Sequence, residues 1–327
     1  MSIKVGEDKI PYIDLGDGYI IRLEYEDLSD EKYIEKAKTE LRESPENIEK
    51  GLHELRRLIE AEKDFTFPKE ADVFLMTFLR PCKFYASSAF EKMQKYFKFK
   101  LKHKKVCENI NVKSVSNVFT EDLIKYLPLR DINGRRILYL NCGKKWKPSR
   151  VTPNDIFRAV QLSLHAAMAE PMTQVNGVTV ILDTDGLSIS QICHFTPSYA
   201  AMVLDWLQNC IAVRLKAIYI VNNSYIFNML YAVFKPFIGS KLRKRIHFLN
   251  KDWETLTSKV GEHALRKEFG GDLLVDDVDG KLLVEFLNLF HEQFELVAHA
   301  GYGVCDEETK KLIDKGVEEA LTYISKA

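Results

Sequence analysis

Two aspartates at the end of a predicted strand are the strongest candidates for catalytic or metal-binding chemistry. Asp183 ends the apolar run Val178–Asp183, and Asp185 follows two residues later. Ligands of open α/β sheets bind beyond the carboxyl ends of the strands, and paired carboxylates can hold a metal ion or exchange a proton. An aspartate before Gly186 is also typical of a turn, because its carboxylate accepts bonds from backbone amides. We favour the turn interpretation.

Other signatures of enzyme chemistry are missing from the sequence. It contains no GxGxxG, GxxxxGKS/T, GxSxG or HExxH pattern. His165, His194 and His247 are isolated, and a lone histidine is more often a core or surface residue than a ligand. No CxxC pair and no zinc spacing occurs among the six cysteines, which are Cys82, Cys107, Cys142, Cys193, Cys210 and Cys305. We therefore expect free thiols, no metal, no cofactor, no catalytic residues and no enzyme activity.

A long segment without acidic residues indicates an anion-binding surface. None occurs between Asp205 and Asp252, where the chain average predicts about six or seven. The basic residues of this segment are Arg214, Lys216, Lys235, Lys241, Arg243, Lys244, Arg245 and Lys251. A phosphoinositide headgroup and RNA are both suitable anions, although the segment lacks an aromatic platform for bases. A solvated helix face is the simpler alternative.

An apolar segment leads directly into the basic one. Residues 225–234 are apolar almost all round, and Lys235-Pro236 ends the run. A helix of this kind is either buried or faces lipid on one side, and it is too short to span a membrane. Apolar burial beside basic residues favours an interfacial element, with an ordinary buried helix as the alternative.

The surrounding pattern predicts an α/β core. Residues 30–110 follow helical spacing, as in Ile48, Leu52, Leu55 and Ile59. Four short apolar segments then predict strands that are buried on both faces: Ile137–Leu140, Val178–Asp183, Ala217–Val221 and Ile246–Leu249. Thr152-Pro153 and Thr196-Pro197 predict helices near 153–169 and 197–211. Strand–helix–strand units at this spacing imply a parallel sheet.

The ends of the chain are less regular. Residues 1–29 are predicted to form an extension with a hairpin or arm within Ile10–Leu23, and residues 276–327 a helical tail. The formal net charge is zero, so no global field attracts nucleic acid or membranes. Without a secretory leader or a transmembrane stretch, we expect a cytoplasmic monomer that touches membranes transiently and peripherally.

Five segments, taken together, resemble the CRAL-TRIO lipid-binding family. They are Phe78–Phe84, Leu127–Arg135, Asn176–Gly186, Lys235–His247 and Phe269–Gly271. The resemblance implies a helical N-domain at 30–110 and an α/β lipid-binding domain at 111–275, with a mostly parallel sheet flanked by helices. It also implies a lid helix over a deep apolar cavity, and ligand transfer in place of catalysis. The tocopherol- and retinoid-carrying branch of the family is the most similar.

The resemblance also implies site residues. Ligand contacts would come from Phe157, Val160, Gln161, Leu164, Leu182, Leu187, Val203, Leu207, Ile211, Val213, Ile218, Phe227, Phe234 and Ile238. Phosphoinositide contacts would come from Arg214, Lys216, Lys241 and Arg245. In that branch, serines anchor the head group of tocopherol, and this chain has Val160 and Leu164 at the matching positions. Leu187 stands where that branch has a tryptophan in the pocket. Gln161 is a candidate for a replacement hydrogen bond to the head group.

The expected function is therefore that of a carrier. It would bind alpha-tocopherol or a related isoprenoid such as a retinoid, and would release it at phosphoinositide-containing membranes. The alternative is a phosphoinositide-binding trafficking or signalling adaptor that moves no cargo.

Overall fold

The computed structural model describes residues 1–303 and 306–325, so Cys305 lies outside the described residues. The chain begins with a three-stranded antiparallel meander of β1 (Ser2–Val5), β2 (Pro11–Gly16) and β3 (Tyr19–Arg22). Gly16 and Gly18 flank the β2–β3 turn with φ of 88° and 81°, values that suit glycine. The predicted hairpin within Ile10–Leu23 is confirmed, and β1 adds a strand that was not predicted.

Helices dominate the next part of the chain. They are α1 (Glu31–Leu41), α2 (Pro45–Ala61), α3 (Asp72–Leu79), α4 (Ala86–Lys102), α5 (Lys104–Cys107) and α6 (Ser116–Thr120), with the short strand β4 (Phe65–Thr66) between α2 and α3. Ser44 caps α2 and places Pro45 in its first turn, where proline needs no hydrogen-bond partner. Leu52, Leu55 and Ile59 are buried, as their spacing predicts.

A five-stranded sheet forms the centre of the molecule. Its strands are β5 (Ile124–Tyr126), β6 (Arg136–Asn141), β7 (Val178–Asp183), β8 (Leu215–Val221) and β9 (Ile246–Asn250), in the spatial order β5-β6-β7-β8-β9. The pair β5–β6 is antiparallel, and the remaining pairs are parallel. The predicted α/β class with a mostly parallel sheet is confirmed. The three-residue edge strand β5 was not predicted.

The segments between parallel strands contain helices. These are α7 (Pro153–Met168), α8 (Pro171–Asn176), α9 (Ile189–Ile192), α10 (Pro197–Asp205), α11 (Tyr225–Phe234) and α12 (Ser240–Arg243). Thr152 and Thr196 cap α7 and α10 as predicted. The helix expected over 197–211 changes at Trp206–Cys210 into a π-helical turn, a distortion frequent at functional sites.

The C-terminal part packs back on the molecule. It comprises α13 (Trp253–Val260), α14 (Gly280–Asn288), α15 (His291–His299), β10 (Gly301–Tyr302) and α16 (Glu307–Ile324). Strand β10 pairs with β4, and the buried side chains of Phe286, Phe290 and Phe294 join the same core as the N-terminal helices. Within the described residues, none of the helices is long and apolar enough to cross a membrane.

Two arginines lie in segments that resemble the CRAL-TRIO family, and they link distant parts of the chain to α8 or to the residue before it. Arg80 donates to Glu43 at 2.8 Å and to Gln174 of α8 at 3.0 Å. Arg130 donates to Glu170 at 2.9 Å. Both arginines are mostly buried, where charge-assisted bonds are needed to offset desolvation. Their role in this fold is therefore structural.

Candidate functional site

The two faces of the central sheet are packed differently. Ile137, Ile181 and Tyr219 are buried on one face, under residues of α13 and of the turn around Phe269. We call this the packed face. On the other face, Val180, Leu182 and Ile218 are half-buried although they lie on the interior strands β7 and β8. We call this the open face. Parallel strands are normally covered on both sides, so the helices cover these three side chains of the open face less completely than the residues of the packed face.

Helices α7, α10 and α11 cover the open face, and we call the region between them and this face the apolar space. Ile218 packs against a cluster containing Leu204 of α10, and Phe234 of α11 packs against the same cluster. The rings of Phe195 and Phe234 lie 5.9 Å apart at its edge. Apolar side chains therefore line the region from the sheet and from the helices, as ligand pockets require.

The residues predicted to contact the ligand fall into three adjoining apolar clusters. Around the main core lie Phe157, Val160, Leu164, Val203, Leu207, Ile211 and Val213. Around the α10–α12 cluster lie Leu207, Val213, Ile218, Phe234 and Ile238. Around the α11 cluster lie Leu182, Leu187, Ile218 and Phe227. Leu207, Val213 and Ile218 each belong to two clusters, so these side chains form one continuous apolar region.

Gln161 is placed differently from the other predicted ligand contacts. Its Nε2 donates to the Val106 carbonyl at 2.8 Å, and its Oε1 lies 3.6 Å from the Cys107 thiol. Both ends of the amide are thus engaged with α5. A hydrogen bond from Gln161 to a ligand would require one of these contacts to break, so its anchoring role remains a prediction that this geometry does not favour.

Helix α11 has one fully buried side chain, and several of its other side chains are exposed. Ser224 caps it, and Phe227 is 4% exposed beneath it. Tyr225 is 78% exposed and Met229 is 42% exposed. Large apolar groups on the surface mark interaction sites, and few buried contacts mark segments that open easily. The helix therefore combines one fully buried aromatic side chain with large apolar side chains on the surface.

A second feature is a basic cleft of about 650 Å³ beside α12. The four predicted phosphoinositide residues all line it: Arg214, Lys216, Lys241 and Arg245. Lys83 of the turn between α3 and α4 and Lys92 of α4 line it as well. Sequence reasoning missed these two, although Lys83 lies in the family-like segment Phe78–Phe84.

An acidic residue of α1 forms ion pairs with two basic residues of this cleft. Glu40 Oε2 lies 2.6 Å from Arg214 Nη2 and 3.6 Å from Lys216 Nζ. Burial would raise the pKa of the Glu40 carboxyl, but the bond from Arg214 and the charge of Lys216 hold it below its usual value. Burial, reinforced by Arg214, lowers the pKa of Lys216 to about 8. The cleft is therefore positive but partly neutralised from within the chain.

The Asp183 carboxylate accepts hydrogen bonds from the turn that follows β7 and from two neighbouring strands or their ends. It accepts from Tyr139 Oη at 2.8 Å, from Asn222 Nδ2 at 2.9 Å and from the Asp185 amide at 2.9 Å. Asp185 forms an ion pair of 2.7 Å with Lys144. These bonds support the turn interpretation. Among residues 1–303 and 306–325, no group of three or more His, Cys, Asp or Glu residues could hold a metal ion.

Comparisons with known proteins agree with this architecture. A family model described as CRAL/TRIO domain matches residues 120–271. Clavesin-1 of Rattus norvegicus is 31% identical over 242 residues, which are 73% of this chain and 68% of that protein. The same identity holds over 242 residues of clavesin-2 of Homo sapiens, covering 73% of this chain and 74% of that protein. The alpha-tocopherol transfer protein-like protein of Mus musculus is 31% identical over 241 residues, or 74% of this chain and 70% of that protein. The chain therefore belongs to the CRAL/TRIO domain family of lipid-binding and lipid-transfer proteins.

Proposed function

We propose that this protein is a carrier, not an enzyme. It binds one hydrophobic molecule in the apolar space and transfers it to or between membranes. The observation that carries the proposal is the unequal packing of the sheet: Ile181 is buried on the packed face, whereas Leu182 beside it is half-buried on the open face. Covering a few hundred Å² of apolar ligand surface contributes several kcal/mol, at about 25 cal/mol per Å².

The proposed cargo is alpha-tocopherol or a related isoprenoid such as a retinoid. The apolar lining suits a prenyl tail, and the relative named alpha-tocopherol transfer protein-like supports this class. Val160 and Leu164 offer no hydrogen bond to a chromanol hydroxyl, and Gln161 is engaged elsewhere. The head group is therefore proposed to be held mainly by shape.

Release is proposed to depend on phosphoinositides. Arg214, Lys216, Lys241 and Arg245 line the basic cleft, and the same chain segment carries the exposed residues Tyr225 and Met229. Each basic residue near an anionic membrane adds about 1 kcal/mol of attraction. Docking would thus bring α11 to the lipid surface, where it can open. We accordingly propose a cytoplasmic location with transient peripheral membrane association.

Mass spectrometry of organic extracts from the purified protein tests the cargo. We expect to recover one isoprenoid per chain. In a separate competition assay, unlabelled alpha-tocopherol or retinoid should displace labelled tocopherol from the protein. Recovery of phospholipid alone, with no displacement by either isoprenoid, would contradict the cargo assignment.

The second candidate function is a phosphoinositide-binding trafficking or signalling adaptor. The size of the basic cleft favours it, because about 650 Å³ is ample for a phosphorylated inositol ring. Such an adaptor would bind phosphoinositide vesicles tightly yet yield no extractable hydrophobic cargo. The same extraction, run beside a vesicle-binding assay, separates the two functions.

A further inference from the structure

Helices α4 and α5 carry a second run of basic residues, outside the segment that forms most of the basic cleft. Seven lysines lie from Lys92 to Lys105, and residues 92–107 contain no acidic residue. The chain average predicts about two basic and two acidic residues in a stretch of this length. The formal net charge of the chain is zero, so this is a local concentration of positive charge. The structure shows which of these lysines face solvent.

Two of the seven lysines have partners inside the molecule. Lys100 Nζ donates to three carbonyls at the C-terminal end of α15, at 2.7, 3.0 and 2.9 Å. Lys92 Nζ donates to the Asn209 carbonyl at 2.9 Å, and Lys92 lines the basic cleft. These two lysines are therefore engaged in packing α4 against the rest of the chain.

Three other lysines form a row along the exposed side of α4. Lys95, Lys98 and Lys102 are exposed, and we call them the lysine stripe. Their spacing of three and four residues places them on one side of the helix. Met93 and Phe97 are buried on the opposite side. The packing of α4 thus holds the lysine stripe toward solvent.

The charge of the lysine stripe is available to a partner. Within residues 1–303 and 306–325, Lys98 and Lys102 form no ion pair. Lys98 Nζ lies 5.6 Å from the centre of the Tyr302 ring, a contact that leaves its charge in place. Lys95 pairs with Glu91 at 2.6 Å, but both side chains are more than half exposed, so solvent screens the attraction.

Leu101 indicates the class of partner. It is 50% exposed and lies one helical turn after Lys98. An exposed apolar side chain among lysines suits an anionic membrane, because the lysines attract the lipid headgroups and the leucine enters the interface. The neighbouring rings of Tyr96, Phe97 and Phe99 are buried, so they offer no surface on which bases could stack.

We propose that the lysine stripe and Leu101 form a second membrane-docking surface, which binds anionic lipid such as phosphatidylserine. Side chains spread along a helix respond to the charge density of a bilayer, whereas the basic cleft can enclose one headgroup. Lys92 lines that cleft, and Lys102 lies ten residues further along α4, so the stripe extends the basic surface by about 15 Å. The inference rests on the proposed membrane association but requires no cargo.

Vesicle co-sedimentation of the full-length protein separates this surface from the basic cleft. One set of vesicles contains phosphatidylcholine and phosphatidylserine, and the other contains phosphatidylcholine and a little phosphatidylinositol bisphosphate. Lys95→Gln/Lys98→Gln/Lys102→Gln should bind the phosphatidylserine vesicles at least about tenfold more weakly, since each lysine near an anionic surface contributes about fivefold. Its affinity for the phosphoinositide vesicles should stay near wild type. Glutamine has a helix propensity close to that of lysine, so α4 should persist.

The two vesicle sets also distinguish this inference from the proposed function. If the wild type binds phosphoinositide vesicles and the triple variant keeps wild-type affinity for phosphatidylserine vesicles, this inference fails and the proposed function stands. If the wild type binds only phosphatidylserine vesicles, and binds them through the stripe, phosphoinositide-dependent release fails and this inference stands.

A matched triple variant controls for net charge. Lys259, Lys267 and Lys281 are exposed and lie outside α4. Their joint replacement by Gln should leave binding to phosphatidylserine vesicles near wild type. An equal loss in both triple variants would show that overall charge is responsible and would overturn the assignment.

A tryptophan at position 101 reports contact with lipid. The fluorescence of Leu101→Trp should shift to shorter wavelength on phosphatidylserine vesicles, because the indole leaves water. Ile132→Trp is the control, since Ile132 is 47% exposed on the turn before β6 and should show no shift. The absence of a shift in Leu101→Trp, or tighter wild-type binding to duplex RNA than to these vesicles, would contradict a membrane partner.

Discussion

Glu40 and Arg214 lie 174 residues apart in the chain and form an ion pair of 2.6 Å at the basic cleft. The same carboxylate reaches Lys216. A phosphate in the cleft would compete with Glu40 for both cations and would be repelled by it. Glu40 thus neutralises part of the positive charge of these two cleft residues.

Replacing Glu40 by Gln should strengthen binding to phosphoinositide vesicles. The carboxylate is 43% exposed, so its ion pairs are worth only about 0.2–1 kcal/mol, which corresponds to a gain in affinity of about 1.4-fold to fivefold. Vesicle co-sedimentation measures the change. Glu35→Gln on the same helix is the matched control, because Glu35 lies 3.9 Å from Lys38. Unchanged or weaker binding in Glu40→Gln would refute the competition.

Reversing two charges of the cleft should slow transfer without affecting cargo binding. Lys241→Glu with Arg245→Glu replaces attraction to an anionic surface by repulsion. We expect transfer to phosphoinositide vesicles to fall at least about tenfold, at about 1 kcal/mol per basic residue. The cargo affinity should stay at the wild-type value.

A control variant with the same change in net charge shows whether slower transfer comes from the cleft residues or from the overall charge of the protein. Lys259 and Lys267 are exposed, and each lies in or beside the segments that cover the packed face. Their double replacement by Glu should leave transfer nearly unchanged. Equal slowing in both double variants would mean that overall charge, not the cleft, governs transfer.

Vesicle binding should weaken as the pH rises from 7 to 9. The pKa of Lys216 is lowered to about 8 in the folded protein, chiefly by burial and then by Arg214. Lys216 therefore loses its positive charge over this range, and each lost charge removes about 1 kcal/mol of attraction, or about fivefold in affinity. Lys216→Arg keeps the charge and should flatten the profile. A wild-type profile that is flat between pH 7 and 9 would exclude Lys216 as a contact.

Phe227→Ala should loosen α11. Phe227 is buried beneath the helix, and truncating a buried phenylalanine typically removes about 3–5 kcal/mol. We expect faster amide exchange over residues 225–234 and faster spontaneous cargo release. Met229→Ala on the exposed side should change stability by no more than about 0.5 kcal/mol. If both variants release cargo at the wild-type rate, α11 is not the lid.

The regular elements of the fold could be predicted because their signals are local. Strand β7 has the predicted bounds Val178–Asp183, and α7 begins at Pro153 after the Thr152 cap. A run of apolar residues or a capping threonine acts on its immediate neighbours. Strand β5 was missed because three residues are too few to form a pattern.

Relationships between distant elements could not be predicted in the same way. Ile181 and Leu182 are adjacent apolar residues, and only the layers packed on them make one buried and the other half-buried. Gln161 of α7 is a predicted ligand contact, yet its partner is the Val106 carbonyl of α5. The position of Glu40 opposite Arg214 depends on the docking of α1, which no periodicity encodes.

The central claim is that the open face borders a space able to hold a lipid, and a cargo titration of Leu182→Trp tests it most directly. Tryptophan should fill that space, so cargo binding should be largely lost while stability stays within about 1 kcal/mol of wild type. Ile181→Trp on the packed face should instead lose about 1–3 kcal/mol or more through overpacking. If Leu182→Trp binds cargo normally, or is destabilised as much as Ile181→Trp, the space does not exist as described.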